Sequence, residues 1–433
     1  MKDKPANSER RDFLKAATGI VGTTVASSFP AIISGQSVSN AIKVGLVGCG
    51  GRGTGAALQA LRADDYTELT AVADIEQAQI DKCLENLKRA RPAGERVKVE
   101  SQHQYLGLEA FQQVIDSGVD GVLLATPPGF RPQHLAACIS ASKHVFCEKP
   151  VATDAPGVRS ALAAAELAAQ KNVSLVAGFC WRYNNMIQET FQKIHDGALG
   201  KLVAYYATYY TNPVKPMPPA ATRPAGMSDI EWQIRNWYNF VWTCGDSLVE
   251  QAVHSADKIA WMMHDEAPLS CVGVGGRTIP AEGGNIYDHF EVNYIYPNGV
   301  RVFLANRQTE GCHNENADYI LGSEGRCTIG KGPVPRMEGK TEWTFAGEQY
   351  NMYQREHDVL FAAIRQNQPI NDGKRLATST LLAMMGRMAA YTGQEVTWDQ
   401  ALNSQEKLVP DPLDWSGSFE PPPLAQPGIT KLV

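Results

Sequence analysis

The sequence offers no C-x-x-C pair, no excess of basic charge and no strongly apolar run of membrane-spanning length, and each absence removes a class of function. Nine cysteines, an odd number scattered along the chain, suggest neither a disulfide framework nor a thiolate zinc site. Lys and Arg total 40 against 46 Asp and Glu, a formal charge of -6, so no basic field draws the protein to nucleic acid or anionic lipid. The sequence places no third ligand beside any acid–histidine pair, so no metal site is expected.

What is present is a chain of 433 residues, 44% hydrophobic, long enough for two globular domains. Ser8 to Lys15 read S-E-R-R-D-F-L-K, and a weakly apolar stretch from Ala16 to Ile33 follows. Paired Arg10 and Arg11 ahead of Phe13 and Leu14 form a twin-arginine export signature. Residues 1–35 are therefore set apart from the fold, and the protein is expected outside the cytoplasm, carried by the twin-arginine machinery. The alternative is a basic amphipathic first helix. Cysteine-poor composition suits a chain that folds before export.

From residue 41 to 178, short apolar runs alternate with helix-forming stretches: Ile42–Val47, Leu69–Ala73, Val119–Ala125, His144–Cys147 and Val173–Ala177. That alternation predicts an α/β, doubly wound parallel sheet, a Rossmann dinucleotide-binding domain. Beyond a further helix at Asn185–His195, long β-branched and aromatic runs predict an α+β domain over 179–400 with a large, mostly antiparallel sheet. Asn298-Gly299 marks a hairpin within it. Proline-rich Pro213–Pro224 reads as a connecting arm, and 401–433 as a surface tail. A tyrosine-rich strand with one free face predicts a homo-oligomer.

Gly48-Cys49-Gly50-Gly51-Arg52-Gly53 satisfies G-x-G-x-x-G between a predicted strand and a predicted helix. Glycines there permit a tight turn, close approach of a diphosphate and close helix packing, with the diphosphate at the helix N-terminus. Asp74 ends the next strand, where an acid hydrogen-bonds the adenosine ribose. Because Asp74 would repel a 2'-phosphate, NAD is expected as cofactor. Arg52 keeps NADP as the alternative.

Three further segments carry a resemblance: Ala125-Thr126-Pro127-Pro128 with His134, then Cys147-Glu148-Lys149-Pro150, then Gly178 to Asn184, reading G-F-C-W-R-Y-N. Together they resemble the glucose–fructose oxidoreductase / inositol dehydrogenase / rhizopine-catabolism family, Gfo/Idh/MocA. The resemblance implies that Lys149 contacts both the nicotinamide ribose and a substrate hydroxyl. It extends the expected cofactor set to Thr126, Pro127, Pro128, His134, Glu148 and Arg182, and brings Tyr183 to the substrate. Apart from the resemblance, a lysine at the carboxyl end of a parallel strand faces the ligand crevice, where an ammonium can orient or acidify an alcohol.

Gly245 to Asp257 resembles the same family's acid-x-x-x-His segment, with Glu250 where family members carry Asp. As one helix it would bury Val249, Val253, Ala256, Ala260 and Met263 and align Glu250, His254, Asp257 and Trp261 on an adjacent face. His254 would take a hydroxyl proton, supported by Glu250. A helix histidine with an i, i+4 partner is the structural alternative. Trp237, Tyr238 and Trp242 are expected at the substrate. The expected activity is oxidation or reduction of a sugar, glycoside or cyclitol hydroxyl with retained NAD. The rivals are glycoside cleavage through a transient 3-keto sugar and a non-catalytic sugar-binding module.

Overall fold

Period-two and continuous apolar runs in the first part form strands, and the stretches between them cross back as helices. The structure, a computed structural model, describes residues 41–279 and 283–433. The twin-arginine segment lies outside the described residues. Six strands, β1 (Ile42–Val47), β2 (Thr67–Asp74), β3 (Gln104–Leu106), β4 (Gly121–Leu124), β5 (His144–Cys147) and β6 (Leu175–Ala177), pair in parallel in the order β3-β2-β1-β4-β5-β6. Chain order reverses between β1 and β4, and the crevice at the carboxyl ends of those two strands is where such a sheet takes its ligand. The sequence reading missed β3, which is only three residues long and shows no apolar alternation of its own.

The second sheet has nine strands in the order β14-β13-β12-β11-β7-β10-β9-β8-β15. These are β7 (Leu202–Thr211), β8 (Ser270–Gly276), β9 (His289–Ile295), β10 (Arg301–Gln308), β11 (Glu315–Gly322), β12 (Gly325–Ile329), β13 (Arg336–Gly339), β14 (Trp343–Thr344) and β15 (Val396–Thr397). Among the described residues of this sheet, only β7 and β10 pair in parallel. The Asn298-Gly299 turn joins β9 to β10, with Tyr296 N–H donating to the Val300 carbonyl at 3.1 Å. On β7, Tyr205, Ala207 and Tyr209 point to the core, and Tyr206 and Tyr210 lie half-buried on the opposite face. The helices Val253–Met262 and Gly373–Thr392 pack against the core face. The latter is buried along nearly its whole length, as an all-round apolar helix requires.

The chain then returns to its start: helix Met352–Gln366 packs on helix Gly51–Ala63 beside the first sheet. The proline-rich arm holds no α-helix, only a short 3-10 turn at Ala220–Thr222. The tail is more than a surface strand, because Leu408, Leu413, Trp415 and Phe419 pack on a cluster of Phe130, Ile230, Ile234, Phe240 and Trp242. No helix among the described residues is long and apolar enough to cross a membrane.

Candidate active site

The glycine turn leaves β1 and opens helix Gly51–Ala63. Gly48 has φ +98°, and a Cβ on it would lie 2.8 Å from the Ala125 backbone; one on Gly53 would sit 1.8 Å from the Gly48 carbonyl oxygen. Both glycines are thus demanded by packing. Gly50 and Gly51 face open space, and no side chain caps the first-turn N–H groups. Such an uncapped start, kept clear of side chains, fits a diphosphate. At the end of β2, the Asp74 carboxylate accepts from the Cys49 N–H at 2.7 Å and the Glu76 N–H at 3.1 Å, which locks it at the ribose end of the cleft. Burial nevertheless pushes its pKa above the usual carboxylate value.

One cleft is lined by Gly48, Gly50, Asp74, Thr126, Pro127 and His134. His134 stacks on Phe111 at 4.1 Å, with Nδ1 3.3 Å from the Thr126 hydroxyl. Burial, with the Arg131 cation adding to it, lowers its pKa to about 3, so it is neutral at physiological pH. Pro128, Cys49, Gly53 and Glu148 are not among the residues lining this cleft. Arg52 turns away from the ribose: its guanidinium pairs with Glu148, reaches Glu356 at 3.4 Å and Gln59 at 3.0 Å, and lies over the Phe146 and Tyr353 rings. It is therefore not placed to receive a 2'-phosphate, and the NADP alternative loses its sequence support.

At the carboxyl end of β5, Lys149 is buried, and its Nζ donates to the Glu250 carbonyl at 2.6 Å and to Glu250 Oε1 at 3.1 Å. The other Glu250 oxygen accepts from the Gln251 side chain, which in turn accepts from the Tyr209 hydroxyl at 3.2 Å. His254 lies beside Phe179, and its Nδ1 has no hydrogen-bond partner. Burial holds its pKa well below the ordinary value, reinforced by the Lys149, Lys258 and Arg52 cations, so its imidazole is neutral.

The sequence predicts a single helix through Glu250 and His254, and the structure corrects this. A short helix, Ser247–Glu250, ends at Gln251, and a new one starts at Val253. The His254 N–H then bonds the Gln251 carbonyl at 3.3 Å rather than that of Glu250. The released Glu250 carbonyl is the acceptor that Lys149 takes up. Asp246 fixes the start of the short helix from the left-handed region at φ +85°, accepting from the Tyr287 N–H at 2.8 Å and from the Tyr391 hydroxyl. Burial pushes its carboxyl up to about 6.

Three assigned residues sit elsewhere. Arg182 is buried in an ion cluster, with Nε 2.9 Å from Asp257 Oδ1 and its remaining nitrogens on Asp265; its donors are used to brace the helix Val253–Met262, not a nucleotide. That pairing, and Trp261 over the same guanidinium at 5.5 Å, removes Asp257 and Trp261 from the Glu250–His254 face. Tyr183 is buried with its hydroxyl donating to Asp372 at 3.0 Å. Trp242 is fully buried and donates to Gln233 at 2.6 Å, an anchor of the arm rather than a sugar platform. Trp237 and Tyr238 stack at 3.8 Å, but Trp237 lines the cofactor cleft while Tyr238 lines a neighbouring one with Arg277, Asp288 and Gln308.

The sequence reading passed over Arg131. It is buried three residues before His134, its Nη1 donates to the Pro150 carbonyl at 2.6 Å, and its Nε has no partner. A lone Arg inside the Thr126–His134 segment was the available signal.

Fold and cleft together define a dinucleotide-binding Rossmann scaffold with a second, sheet-built part beside its crevice. Residues 42–179 match the Gfo/Idh/MocA model, described as "Oxidoreductase family, NAD-binding Rossmann fold". An inositol 2-dehydrogenase from Rubrobacter xylanophilus is 24% identical over 291 residues, 67% of this chain and 72% of that protein. A glycosyl hydrolase family 109 protein from Stenotrophomonas maltophilia is 23% identical over 201 residues, 46% of this chain and 42% of that protein. The chain spans about half the length of several curated relatives it matches. Among solved structures, the aldose-aldose oxidoreductase from Caulobacter crescentus superposes with TM-score 0.64 at 18% identity, over 82% of this chain and 99% of that one. At that identity the likeness shows the fold alone.

Proposed function

We propose that the protein is an exported enzyme that moves hydride between a hydroxyl-bearing carbon of a sugar, glycoside or cyclitol and an NAD that stays bound. The carrying observation is the Lys149–Glu250–His254 group: a buried ammonium held on a carbonyl and a carboxylate, beside a neutral imidazole with an unpartnered nitrogen. Bound NAD supplies the hydride acceptor. His254 accepts the hydroxyl proton, and the Lys149 ammonium stabilises the developing alkoxide. Glu250 orients Lys149. Burial withdraws Lys149 and Glu250 from bulk water, which strengthens their interactions.

Export supports retention of the nucleotide, because little free NAD is available outside the cytoplasm. A homo-oligomer formed over the half-buried Tyr206, Tyr210 and Tyr319 face belongs to the same reading. The test is to incubate purified protein with a panel of sugars, glycosides and cyclitols and follow NADH absorbance of the bound nucleotide. Protein that neither carries nor takes up NAD at micromolar concentration refutes the reading.

A second reading, redox-assisted glycoside cleavage, draws support from the family 109 relative. Oxidation of the C3 hydroxyl would acidify the C2–H; loss of that proton expels the aglycone, which leaves as its alcohol, water adds across the resulting C1–C2 double bond, and reduction of the C3 ketone restores the hydroxyl, so no NADH accumulates. Release of phenol from an aryl glycoside with no net NADH change selects this second reading over the first.

A further inference from the structure

The cofactor cleft has a wall that does not come from the Rossmann segment. Lys215, Ile234, Arg235 and Trp237, which belong to the proline-rich arm and the residues after it, face Asp74 and His134 across the cleft. Arg235 crosses to the Rossmann side, where its guanidinium pairs with Glu76, two residues past Asp74. Its Nε is held by Glu231 at 2.9 Å, and its carbonyl accepts from Lys215 Nζ at 2.7 Å. Behind this wall the tail acts as a strap: Gln233 Nε2 donates to the Phe419 carbonyl at 2.7 Å, the Ser418 hydroxyl to Asp229 at 2.7 Å, and the Ser228 hydroxyl to the Trp415 carbonyl.

We infer that residues 213–237 form a roof, supplied by the same chain, over the ribose end of the bound dinucleotide, and that the Arg235–Glu76 pair is the latch governing how fast the nucleotide leaves. The latch sits at the mouth, where the arm meets the loop after β2, while the rest of the roof is fixed by the tail. Opening the ribose end therefore means separating this pair. Arg235 is also neutralised by two carboxylates, Glu76 and Glu231, with Asp74 beside them. The roofed end thus has no free guanidinium for a 2'-phosphate and selects a ribose with both hydroxyls. This inference rests on dinucleotide binding in the cleft and not on the identity of the substrate.

The test loads wild type, Arg235→Met, Glu76→Gln and the double variant with NADH, then chases with excess NAD and follows NADH fluorescence by stopped flow. Both side chains are about one-quarter to one-third exposed, so neither substitution strands a buried charge. Each single variant is expected to release NADH about two- to fivefold faster, as loss of a partly exposed ion pair would give. The double variant should be no faster than the quicker single, because both lose one interaction. Release rates within twofold of wild type in both singles, or effects that simply add, overturn the latch. Wild type that takes up no NADH overturns the cofactor reading and the roof together. Altered release with no turnover of any sugar leaves the roof standing and counts only against the proposed activity.

Discussion

Replacing Lys149 with Met removes one member of a buried ion pair and leaves the other in place. The Glu250 carboxylate is 4% exposed and would keep only the Gln251 side chain as donor, while the Glu250 carbonyl would lose its 2.6 Å partner. An abandoned buried charge typically costs about 3–5 kcal/mol. With the Gln251 donor remaining, about 2–4 kcal/mol is the expectation here, read as a lower urea midpoint at an unchanged slope. Glu250→Gln should cost less, about 1–2 kcal/mol, since Gln251 can turn its amide and the carbonyl still holds Lys149. In Lys149→Met/Glu250→Gln no charge is left unpaired, so the double variant should be more stable than the sum of the singles by about 1–2 kcal/mol. Turnover of bound NAD should fall about 10²–10⁴-fold in both variants lacking Lys149 and should not recover with stability. That split separates the ammonium's part in the chemistry from its part in packing. Strictly additive stabilities, or a Lys149→Met enzyme with wild-type turnover, would refute the reasoning.

Gly53→Ala must move the Gly48 carbonyl and should cost about 2–4 kcal/mol in thermal or urea unfolding, whereas Gly50→Ala should fold as wild type yet bind NADH at least about tenfold more weakly; equal NADH affinity in Gly50→Ala would refute the diphosphate cradle. Arg182→Met should lose about 3–5 kcal/mol by stranding Asp257, with the NADH affinity of the folded protein unchanged; a selective loss of NADH affinity would return Arg182 to the cofactor site. His134 and His357 are held neutral, at about 3, chiefly by burial, while in the unfolded chain they titrate near about 6.5. The unfolded chain then binds more protons between those values, so both histidines lower stability as pH falls from about 6.5 towards 3, by up to about 1.4 kcal/mol per pH unit each. Asp246, raised to about 6, works in the opposite sense: its contribution is present below the unfolded carboxyl value and is lost as pH rises through about 6. Urea midpoints across pH 7.5 to 5 should therefore fall in wild type and fall less steeply in His357→Gln.

Much of the fold was legible because its signals are local. β5 at His144–Cys147 and the helix Asn185–His195 lie where periodicity places them, and the glycine turn sits between strand and helix as its spacing demands. The Lys149, Glu250 and His254 segments were likewise readable as motifs, and the structure brings Lys149 onto Glu250. Arg182, Tyr183 and Trp242 were misplaced because residue type alone cannot tell a donor aimed at a ligand from one aimed at a buried partner. Asp257, Asp372 and Gln233, which claim those donors, lie between 9 and 189 residues away in the chain.

By itself the sequence determined the parallel nucleotide-binding sheet and the second sheet, and it marked the segments that carry Lys149, Glu250 and His254, since each follows from a period, a turn or a short motif. Only the tertiary structure decided how the site is built: the helix break that frees the Glu250 carbonyl for Lys149, the turning of Arg52 away from the ribose, and the closing of the arm over the cleft through Arg235 and Glu76. The physical reason is the same in each case. A hydrogen bond or ion pair between residues far apart in the chain forms only after the backbone has brought them together, and no local propensity records which of several polar partners a buried group will find.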